Sequence, residues 1–488
     1  MRLEYKWIVG IVFAFGMFMN LLDATIVNVA LPTFAREFQA SAATIQWIVT
    51  GYLLSLAVAI PMSGWIGDRF GTKRTLMLAL GTFTAASFLC ALAGRVEALI
   101  AFRVLQGIGA GMLTPVGMAI LFRAFPPHER AQSAAIIAIP TAVAPASGPV
   151  LGGYLVEYQS WPWIFLINIP VGALALLIAG IFLREEKQAQ PGRLDVPGFL
   201  LSASGLALLL YAFAEAGTRG LDDGRVVAVA ATGAALLAAF AAVELRTKMP
   251  LIDVRLLRDR LFRAIMIIFL PGQAAFIGAL FLLPLLLQAE MGLTPLESGL
   301  ATFPQAIGIA LMAQPAGRIF PLIGPRRMIM FGTAGLLATT LAFLLVDLQT
   351  DVWWIRLLML LRGCAFAFVM VPGQTTAYLT IRPQETGRAT AMGMAIPQVA
   401  ASFGVALIAT VLTDRLVYHG AQLGNPMTRD GALLAFHEAF VVASIFPVLA
   451  FFAALLLSDK EALAAAAKRP APPERPSLTA EATADPPG

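Results

Sequence analysis

Long apolar stretches separated by short polar segments run through almost the whole chain. Each stretch is long enough, at about 1.5 Å of rise per residue, to cross a hydrocarbon layer of about 30 Å as a helix. We count fourteen of them, at residues 7–31, 44–66, 75–94, 97–121, 131–156, 162–183, 197–216, 225–243, 262–289, 296–319, 328–346, 352–380, 388–412 and 436–457. The pattern predicts an all-α integral membrane bundle, because barrel strands would show short alternating segments instead.

Composition and charge agree with this prediction. Hydrophobic residues make up 59% of the 488 residues and charged residues only 13%, against about 25% charged in soluble domains. The formal net charge is +5, but the basic residues lie mostly in loops on one side of the predicted bundle. This asymmetry predicts a topology with both termini in the cytoplasm, and it does not indicate a nucleic-acid partner. The first apolar stretch exceeds the apolar part of a signal peptide, so we expect it to stay as the first membrane helix.

The cysteines and histidines are too few and too widely spaced in the sequence to predict a disulfide framework, a metal site or an intramembrane enzyme. Cys90 and Cys364 stand in separate apolar stretches, and the chain has only three histidines. We therefore predict no disulfide framework, no metal site and no cofactor. An intramembrane enzyme would need clustered histidines, cysteines or acids, so we predict that the protein is not an enzyme. The sequence has no P-loop, which excludes the usual ATP-driven pump from the prediction.

The chain contains an internal repeat. GWIGDRFGTKR at residues 64–74 follows the second span, and GRIFPLIGPRR at residues 317–327 follows the tenth with the same spacing of glycines and terminal basic pair. Arg103 in the fourth span matches Arg362 in the twelfth at a similar offset. We predict six helices at 1–183, two inserted helices and a linker at 184–261, six more helices at 262–457, and a disordered tail at 458–488. Two such halves are a recurrent architecture of secondary transporters.

A carboxylate inside the first span is the clearest candidate for chemistry. Asp23 lies too deep for its short side chain to reach the interface, and an intramembrane acid by default marks an ion or substrate pathway. A structural hydrogen bond to a neighbouring helix is the alternative. Arg103 is at a similar predicted depth, and Gln106 lies one helical turn away on the same face, where it can orient the guanidinium.

Five motifs in order resemble those of the fourteen-helix drug:proton antiporters of the major facilitator superfamily, and the resemblance covers residues 7–457. They are LDATIVNVALP at 22–32, the 64–74 segment, RVLQGIGAG at 103–111, ASGPVLGG at 146–153 and SWPWIFLINIPVG at 160–172. The resemblance implies proton coupling by Asp23 and Arg103. It implies a conformational switch at Gly64, Asp68, Arg69, Gly71 and Arg74, and an antiporter helix containing Pro145, Gly148, Pro149, Gly152 and Gly153.

These implied roles have physical counterparts in the residues. Burial disfavours an ionised carboxylate and a nearby guanidinium favours it, so a motion that separates Asp23 from Arg103 would drive proton uptake. In the second copy of the switch, Pro321 and Leu322 replace Asp68 and Arg69. We expect that copy to keep the turn and to lose the charged latch. Pro149 removes a helical hydrogen bond and is expected to bend the fifth span. We expect this span to line or seal the outer opening; kinked packing without a further role is the alternative.

Polar side chains within the spans are candidates for a substrate pocket among abundant Phe and Met. They are Asn20, Gln46, Tyr52, Gln106, Gln273, Gln305, Gln374 and Gln398. Interhelical hydrogen bonding is the alternative role for most of them. We see no second mid-span acid, so a multiply charged cation is a disfavoured substrate. The predicted function is proton-driven export of small hydrophobic or amphiphilic compounds from the cytoplasm by alternating access; a dedicated exporter of one metabolite, peptide or metal chelate is the alternative.

The expected partners follow from this function. They are the transported small molecule, protons and membrane lipid, with the proton gradient in place of a cofactor. The resemblance implies a location in a bacterial cytoplasmic (inner) membrane, and we expect the protein to act as a monomer; a periplasmic adaptor is a guess taken from some relatives. The linker at residues 244–263 alternates basic and apolar residues. It is expected to form an amphipathic surface helix, with a regulatory lipid site as the alternative.

Overall fold

A computed structural model describes residues 4–125, 130–185, 195–220, 222–247, 250, 253–382 and 385–467. These described residues form α-helices and no strand. In chain order the helices are α1 Tyr5–Glu37, α2 Ala42–Phe70, α3 Thr72–Ala91, α4 Val96–Ala124, α5 Arg130–Tyr158, α6 Trp163–Leu166, α7 Asn168–Phe182, α8 Val196–Arg219, α9 Gly224–Arg246, α10 Arg260–Leu285, α11 Pro295–Thr302, α12 Pro304–Ile323, α13 Pro325–Ala342, α14 Val352–Ala377, α15 Thr386–Tyr418, α16 Arg429–Ala454 and α17 Asp459–Ala467. A π-helical turn, Leu286–Glu290, extends α10.

The described residues contain 13 segments long and apolar enough to cross a membrane. These segments coincide with all the predicted spans but one. The exception is 131–156, which lies within α5 but is not among the 13 segments. The prediction of an all-α, multi-pass membrane protein is confirmed. The count of fourteen spans and their arrangement as six, two and six remain predictions.

The first helix is longer than the sequence predicts. The predicted span ends at residue 31, whereas α1 has 33 residues and continues through Pro32 to Glu37. At 1.5 Å of rise per residue, Asp23 lies roughly 27 Å from one end of α1 and roughly 21 Å from the other. The Asp23 carboxylate therefore lies near the middle of α1. The predicted boundary at residue 31 would place it closer to the end of the helix.

The predicted span 296–319 is interrupted. Its residues form two helices, α11 and α12, which meet at Phe303. Pro304 begins α12 and has no N–H to donate to a carbonyl of the preceding turn, so the helical hydrogen-bond ladder breaks there.

We call the end of the bundle that holds residues 38–41 and 159–162 the outer end, following the predicted topology, and the opposite end the inner end. Helices α2 and α15 pack against each other, and the pair α8 and α9 lies against them through α8. The Thr410 hydroxyl of α15 donates to the Phe213 carbonyl of α8 at 2.6 Å. The inserted pair thus lies beside the seam between α2 and α15.

Two local predictions were wrong. The tail was predicted to be disordered from residue 458, but Asp459–Ala467 forms α17, because its alanine-rich sequence favours helix and two acids stand in the first turn. Residues 468–488 lie outside the described residues. In the linker at 244–263, α9 continues to Arg246 and a five-residue 3-10 helix, Val254–Arg258, precedes α10. The described part of the linker therefore holds no separate amphipathic α-helix.

Candidate functional site

Asp23 of α1 and Arg103 of α4 meet in the interior of the bundle. Their side chains are 0% and 1% exposed, and Arg103 Nη1 lies 2.5 Å from Asp23 Oδ2. Arg103 Nε donates to the Ile48 carbonyl of α2 at 3.1 Å. One guanidinium therefore ties three helices together around a buried carboxylate.

Gln106 bridges the two members of this ion pair. Its Oε1 accepts from Arg103 Nη1 at 2.7 Å, and its Nε2 donates to Asp23 Oδ1 at 2.9 Å. The side chain is fully buried. The structure thus places Gln106 in the charged cluster, in the orienting position that its spacing from Arg103 suggested, rather than on an open pocket wall.

Two further residues complete the cluster, and sequence analysis missed both. Asn168 Nδ2 lies 3.4 Å from Asp23 Oδ1 and 3.1 Å from Ser87 Oγ. Gln106 Nε2 also contacts Ser87 Oγ at 3.2 Å. Asn168 is the only amide side chain in the 160–172 motif, which is apolar apart from Asn168 and Ser160. That isolated amide is a signal from which the sequence could have predicted its role. Ser87 gave none, because single hydroxyls are common in membrane helices.

Tyr52 covers the other side of the guanidinium. Its ring centroid lies 4.1 Å from Arg103 Cζ, a cation–π geometry that is strongest when desolvated. The Tyr52 hydroxyl donates to Asn20 Oδ1 at 2.8 Å, and Asn20 Nδ2 contacts Thr114 Oγ1 at 3.3 Å. Of the predicted pocket residues, Asn20, Tyr52 and Gln106 are thus brought together around Arg103.

The remaining predicted pocket residues lie on five different helices, α2, α10, α12, α14 and α15. Gln46 and Gln305 are buried, Gln273 and Gln398 are half-buried, and Gln374 is exposed. Neither amide atom of Gln46 has a hydrogen-bond partner among the described residues, and the same holds for Oε1 of Gln273 and Gln305. These unpaired amide atoms are candidates for contact with a ligand.

The arrangement constrains how the carboxylate can take up a proton. As a fully buried ion pair, Asp23 and Arg103 neutralise each other. Protonating Asp23 alone would leave a buried guanidinium without its counter-charge, which is strongly unfavourable. Arg103 already has two other acceptors, the Gln106 and Ile48 oxygens. The guanidinium can therefore rotate away from Asp23 without losing every hydrogen bond.

The predicted switch loop, residues 64–74, lies at the inner end. Gly71 has φ +103, a backbone conformation that favours glycine, and it separates α2 from α3. Asp68 is half-buried, and Gly64 and Arg69 are exposed. Glu185, which follows α7, accepts from the backbone N–H groups of Lys73 at 3.1 Å and Arg74 at 3.2 Å. A carboxylate from outside the motif therefore caps the N-terminus of α3, where the helix dipole favours negative charge.

The second copy of the loop repeats this arrangement. Gly324 has φ +81, and the Arg326 N–H donates to Asp459 Oδ1 at 2.8 Å. Asp459 opens α17, so it occupies in the second half the place that Glu185 occupies in the first. The expected turn is present, and the loss of the charged latch stays a prediction.

The small residues of α5 bring it close to α1 and α11. Gly148 and Gly152 pack on Thr25 and Ile26 of α1. Gly153 packs on the backbone of Leu296, and the Pro149 carbonyl packs on Gly299. Pro145 is half-buried.

These contacts close the outer end. Glu157 Oε2 accepts from the Leu296 N–H at 3.0 Å, and Gln288 Nε2 donates to the Val29 carbonyl at 2.8 Å. Helices α1 and α5 of the predicted first half therefore contact α11 and the Leu286–Glu290 turn of the predicted second half at the outer end.

An apolar groove lies between the inserted pair and the seam of α2 and α15. It is partly open, and its space, including the open part, is about 630 Å³. It is apolar apart from one hydroxyl; its lining includes Pro61, Ser202, Leu206, Phe240, Leu270 and Ile396. None of the predicted pocket residues lines it.

Comparisons with known proteins agree on one family. A sequence model described as Major Facilitator Superfamily matches residues 13–405. The chain is 36% identical over 400 residues to a protein named multidrug resistance protein B homolog from Mycobacterium tuberculosis (strain CDC 1551 / Oshkosh), covering 81% of this chain and 74% of that one. It is 32% identical over 436 residues to a putative multidrug resistance protein MdtD from Serratia proteamaculans (strain 568), covering 89% of each. The crystal structure of the POT family transporter PepTSo superposes with a TM-score of 0.66 at 15% identity, covering 94% of this chain and 100% of that one, which shows a shared fold.

Proposed function

Because this chain belongs to the Major Facilitator Superfamily, we propose that it is a proton-coupled antiporter that exports small hydrophobic or amphiphilic compounds by alternating access. The multidrug-resistance names of the relatives support the substrate class. The observation that carries the proposal is the buried Asp23–Arg103 pair with its amide partners. An ion pair this deep is costly to bury and is expected where a proton pathway needs it.

The proposed cycle uses the two states of this pair. With the pair intact, Asp23 is ionised and Arg103 is neutralised. When the helices rearrange so that water from the outer side reaches Asp23, Arg103 turns to the Gln106 and Ile48 oxygens and the carboxylate takes up a proton. Return of the guanidinium in the inward-open state expels that proton to the cytoplasm. The substrate then binds from the inner side and moves outward as the protein returns to the outward-open state, before the next proton is taken up.

The outer contact between α5 and α11 is the proposed gate of this cycle. In the conformation described here it is closed by the packing of Gly299 on the Pro149 carbonyl and by the Glu157–Leu296 hydrogen bond. Each interaction has a backbone group on at least one side, the Pro149 carbonyl in the first and the Leu296 N–H in the second. The gate can therefore open by a rigid movement of one repeat against the other.

The proton gradient suffices to drive such export. One charge moving across the membrane gives about 2.3 kcal/mol per 100 mV of potential. One or two protons per cycle therefore support moderate accumulation of substrate outside the cell.

The test uses purified protein in liposomes with an imposed proton gradient and a panel of hydrophobic dyes. We expect the wild-type protein to exchange dye for protons and the Asp23→Asn variant to be inserted normally but uncoupled. Asp414→Asn, at an outer carboxylate that pairs with Arg415, is the matched control and is expected to keep coupling. Full proton-coupled transport by Asp23→Asn would overturn the proposal, as would wild-type dye movement that ignores the gradient.

A further inference from the structure

The predicted second half holds a buried guanidinium that has no carboxylate beside it among the described residues. Arg362 of α14 is 0% exposed. Its Nη1 donates to Thr340 Oγ1 at 2.7 Å and its Nη2 to the Ala275 carbonyl at 2.6 Å, whereas Nε has no partner among the described residues. Its acceptors are thus a hydroxyl and a carbonyl, both uncharged.

Comparison of the two repeats shows what is missing. Leu31-Pro32 in α1 and Leu283-Pro284 in α10 are matching pairs, and aligning them places Ala275 opposite Asp23. Aligning Arg103 with Arg362 places Ala365 opposite Gln106. The Arg362–Ala275 hydrogen bond agrees with this correspondence, because it joins the same two positions as the Arg103–Asp23 pair. The second guanidinium has lost both side chains that hold the first.

The charges in the middle of the bundle therefore do not balance. Among the described residues, the buried charged side chains well inside the spans are Asp23, Arg103 and Arg362; the others stand at span ends or in the linker. Asp23 and Arg103 cancel, which leaves one positive charge on Arg362. A cation buried without a counter-ion is strongly unfavourable, and it is retained where it serves a function.

We propose that Arg362 binds the acidic group of a transported amphiphile, so that hydrophobic carboxylic acids belong to the substrates of this protein. This inference rests on the proposed export function and names a substrate class for it. A guanidinium has five N–H donors in a planar fork that matches a carboxylate. The described residues accept two hydrogen bonds from Arg362, and Nε remains free for the ligand.

The surroundings suit the rest of such a molecule. Ala275 and Ala365 are small, and the Phe276 and Phe366 rings stack at 3.7 Å between centroids next to them. Gln305 packs through its backbone on Gly363, next to Arg362 in the chain. Because Arg362 is buried in this conformation, the acid reaches it when α10 moves away from α14 and the Ala275 hydrogen bond opens.

A purely structural role for Arg362 makes a different prediction. If the residue only ties α10, α13 and α14 together, the charge of a ligand is irrelevant. Ala275→Asp separates the two roles, because it keeps Arg362 and supplies the carboxylate that the second repeat lacks. Ala275→Asn is the matched control of similar size without the charge.

The first experiment measures binding to purified protein in phosphatidylcholine nanodiscs, by the shift of thermal unfolding with octanoate or octanol. We expect octanoate to stabilise the wild-type protein and the Ala275→Asn variant more than octanol does. Ala275→Asp is expected to weaken octanoate binding at least tenfold while remaining folded, and Arg362→Gln to remove the preference for the acid. Equal effects of octanoate and octanol on the wild-type protein, or undiminished octanoate binding by Ala275→Asp, would overturn the inference. Chloride or sulfate competing with octanoate at equal concentration would assign the site to inorganic anions and also overturn it.

A transport assay separates this inference from the proposed function. Liposomes containing the wild-type protein are tested with a carboxylated xanthene dye and with its methyl ester. Proton-coupled export of the ester without any preference for acids in the binding assay would refute the role of Arg362 and leave the export function intact. Selective octanoate binding without proton-coupled movement of either dye would refute the proposed function and leave the Arg362 site intact.

Discussion

Gly299 lies against the backbone of Pro149 where α11 meets α5 at the outer end, and replacing it with alanine is expected to push these helices apart. A Cβ on Gly299 would stand 2.8 Å from the Pro149 carbonyl carbon and closer still to its oxygen. Ordinary van der Waals contact requires roughly 3.5 Å or more between carbon atoms. Backbone atoms cannot turn aside as a side chain does, so the helices must separate by roughly 1 Å.

The size of the expected conformational shift depends on which arrangement carries the strain. Adding a methyl group to a well-packed contact costs about 1–3 kcal/mol. This cost applies only while the outer end is closed, because the contact is absent once the two repeats part. The equilibrium should therefore shift toward the outer-open arrangement by a factor of about 5–150.

Spin-label distance measurements across the outer end would detect this shift. Labels at Tyr158 and Met427, which are 59% and 91% exposed, report on the two repeats in a background where Cys90 and Cys364 are alanine. We expect Gly299→Ala to enlarge a longer-distance population. Gly81→Ala in α3 is the control, because an added Cβ there meets nothing within 4 Å. Distance distributions for Gly299→Ala that match the wild type would refute the reasoning.

The helix caps and the aromatic cover of Arg103 give two further predictions. Glu185→Gln and Asp459→Asn should each lower the free energy of unfolding by about 1 kcal/mol and act additively within about 0.5 kcal/mol, as measured by thermal unfolding in detergent; strong non-additivity would contradict independent caps. Tyr52→Phe should cost about 1 kcal/mol through the lost hydrogen bond to Asn20 and preserve proton coupling. Tyr52→Leu should cost about 2 kcal/mol more by removing the cation–π contact, and equal stability of the two variants would contradict the stacking role.

The sequence could predict those features that depend on local composition. Membrane spans are readable because each must stay apolar over about 30 Å, and the structure confirms the all-helical membrane fold that they predict. An acid such as Asp23 stands out in this background, and its pairing with Arg103 follows from their similar depth. The turn at Gly71 is also a local property, since few other residues adopt its backbone conformation.

Features that join distant segments could not be predicted in this way. Asn168 contributes to the Asp23 cluster from 145 residues away in the chain, and Glu185 caps a helix that begins more than a hundred residues earlier. Hydropathy gives no sign of either contact.

The sequence by itself determined the all-helical membrane fold and the identity of the charged residues within its spans. Only the tertiary structure decided that Glu185 and Asp459 cap matching helices, that Gly299 closes on Pro149, and that Arg362 lacks the carboxylate that Arg103 has. The physical reason is that burial in lipid selects residues one segment at a time, whereas hydrogen bonds and close backbone contacts are fixed by how the segments pack.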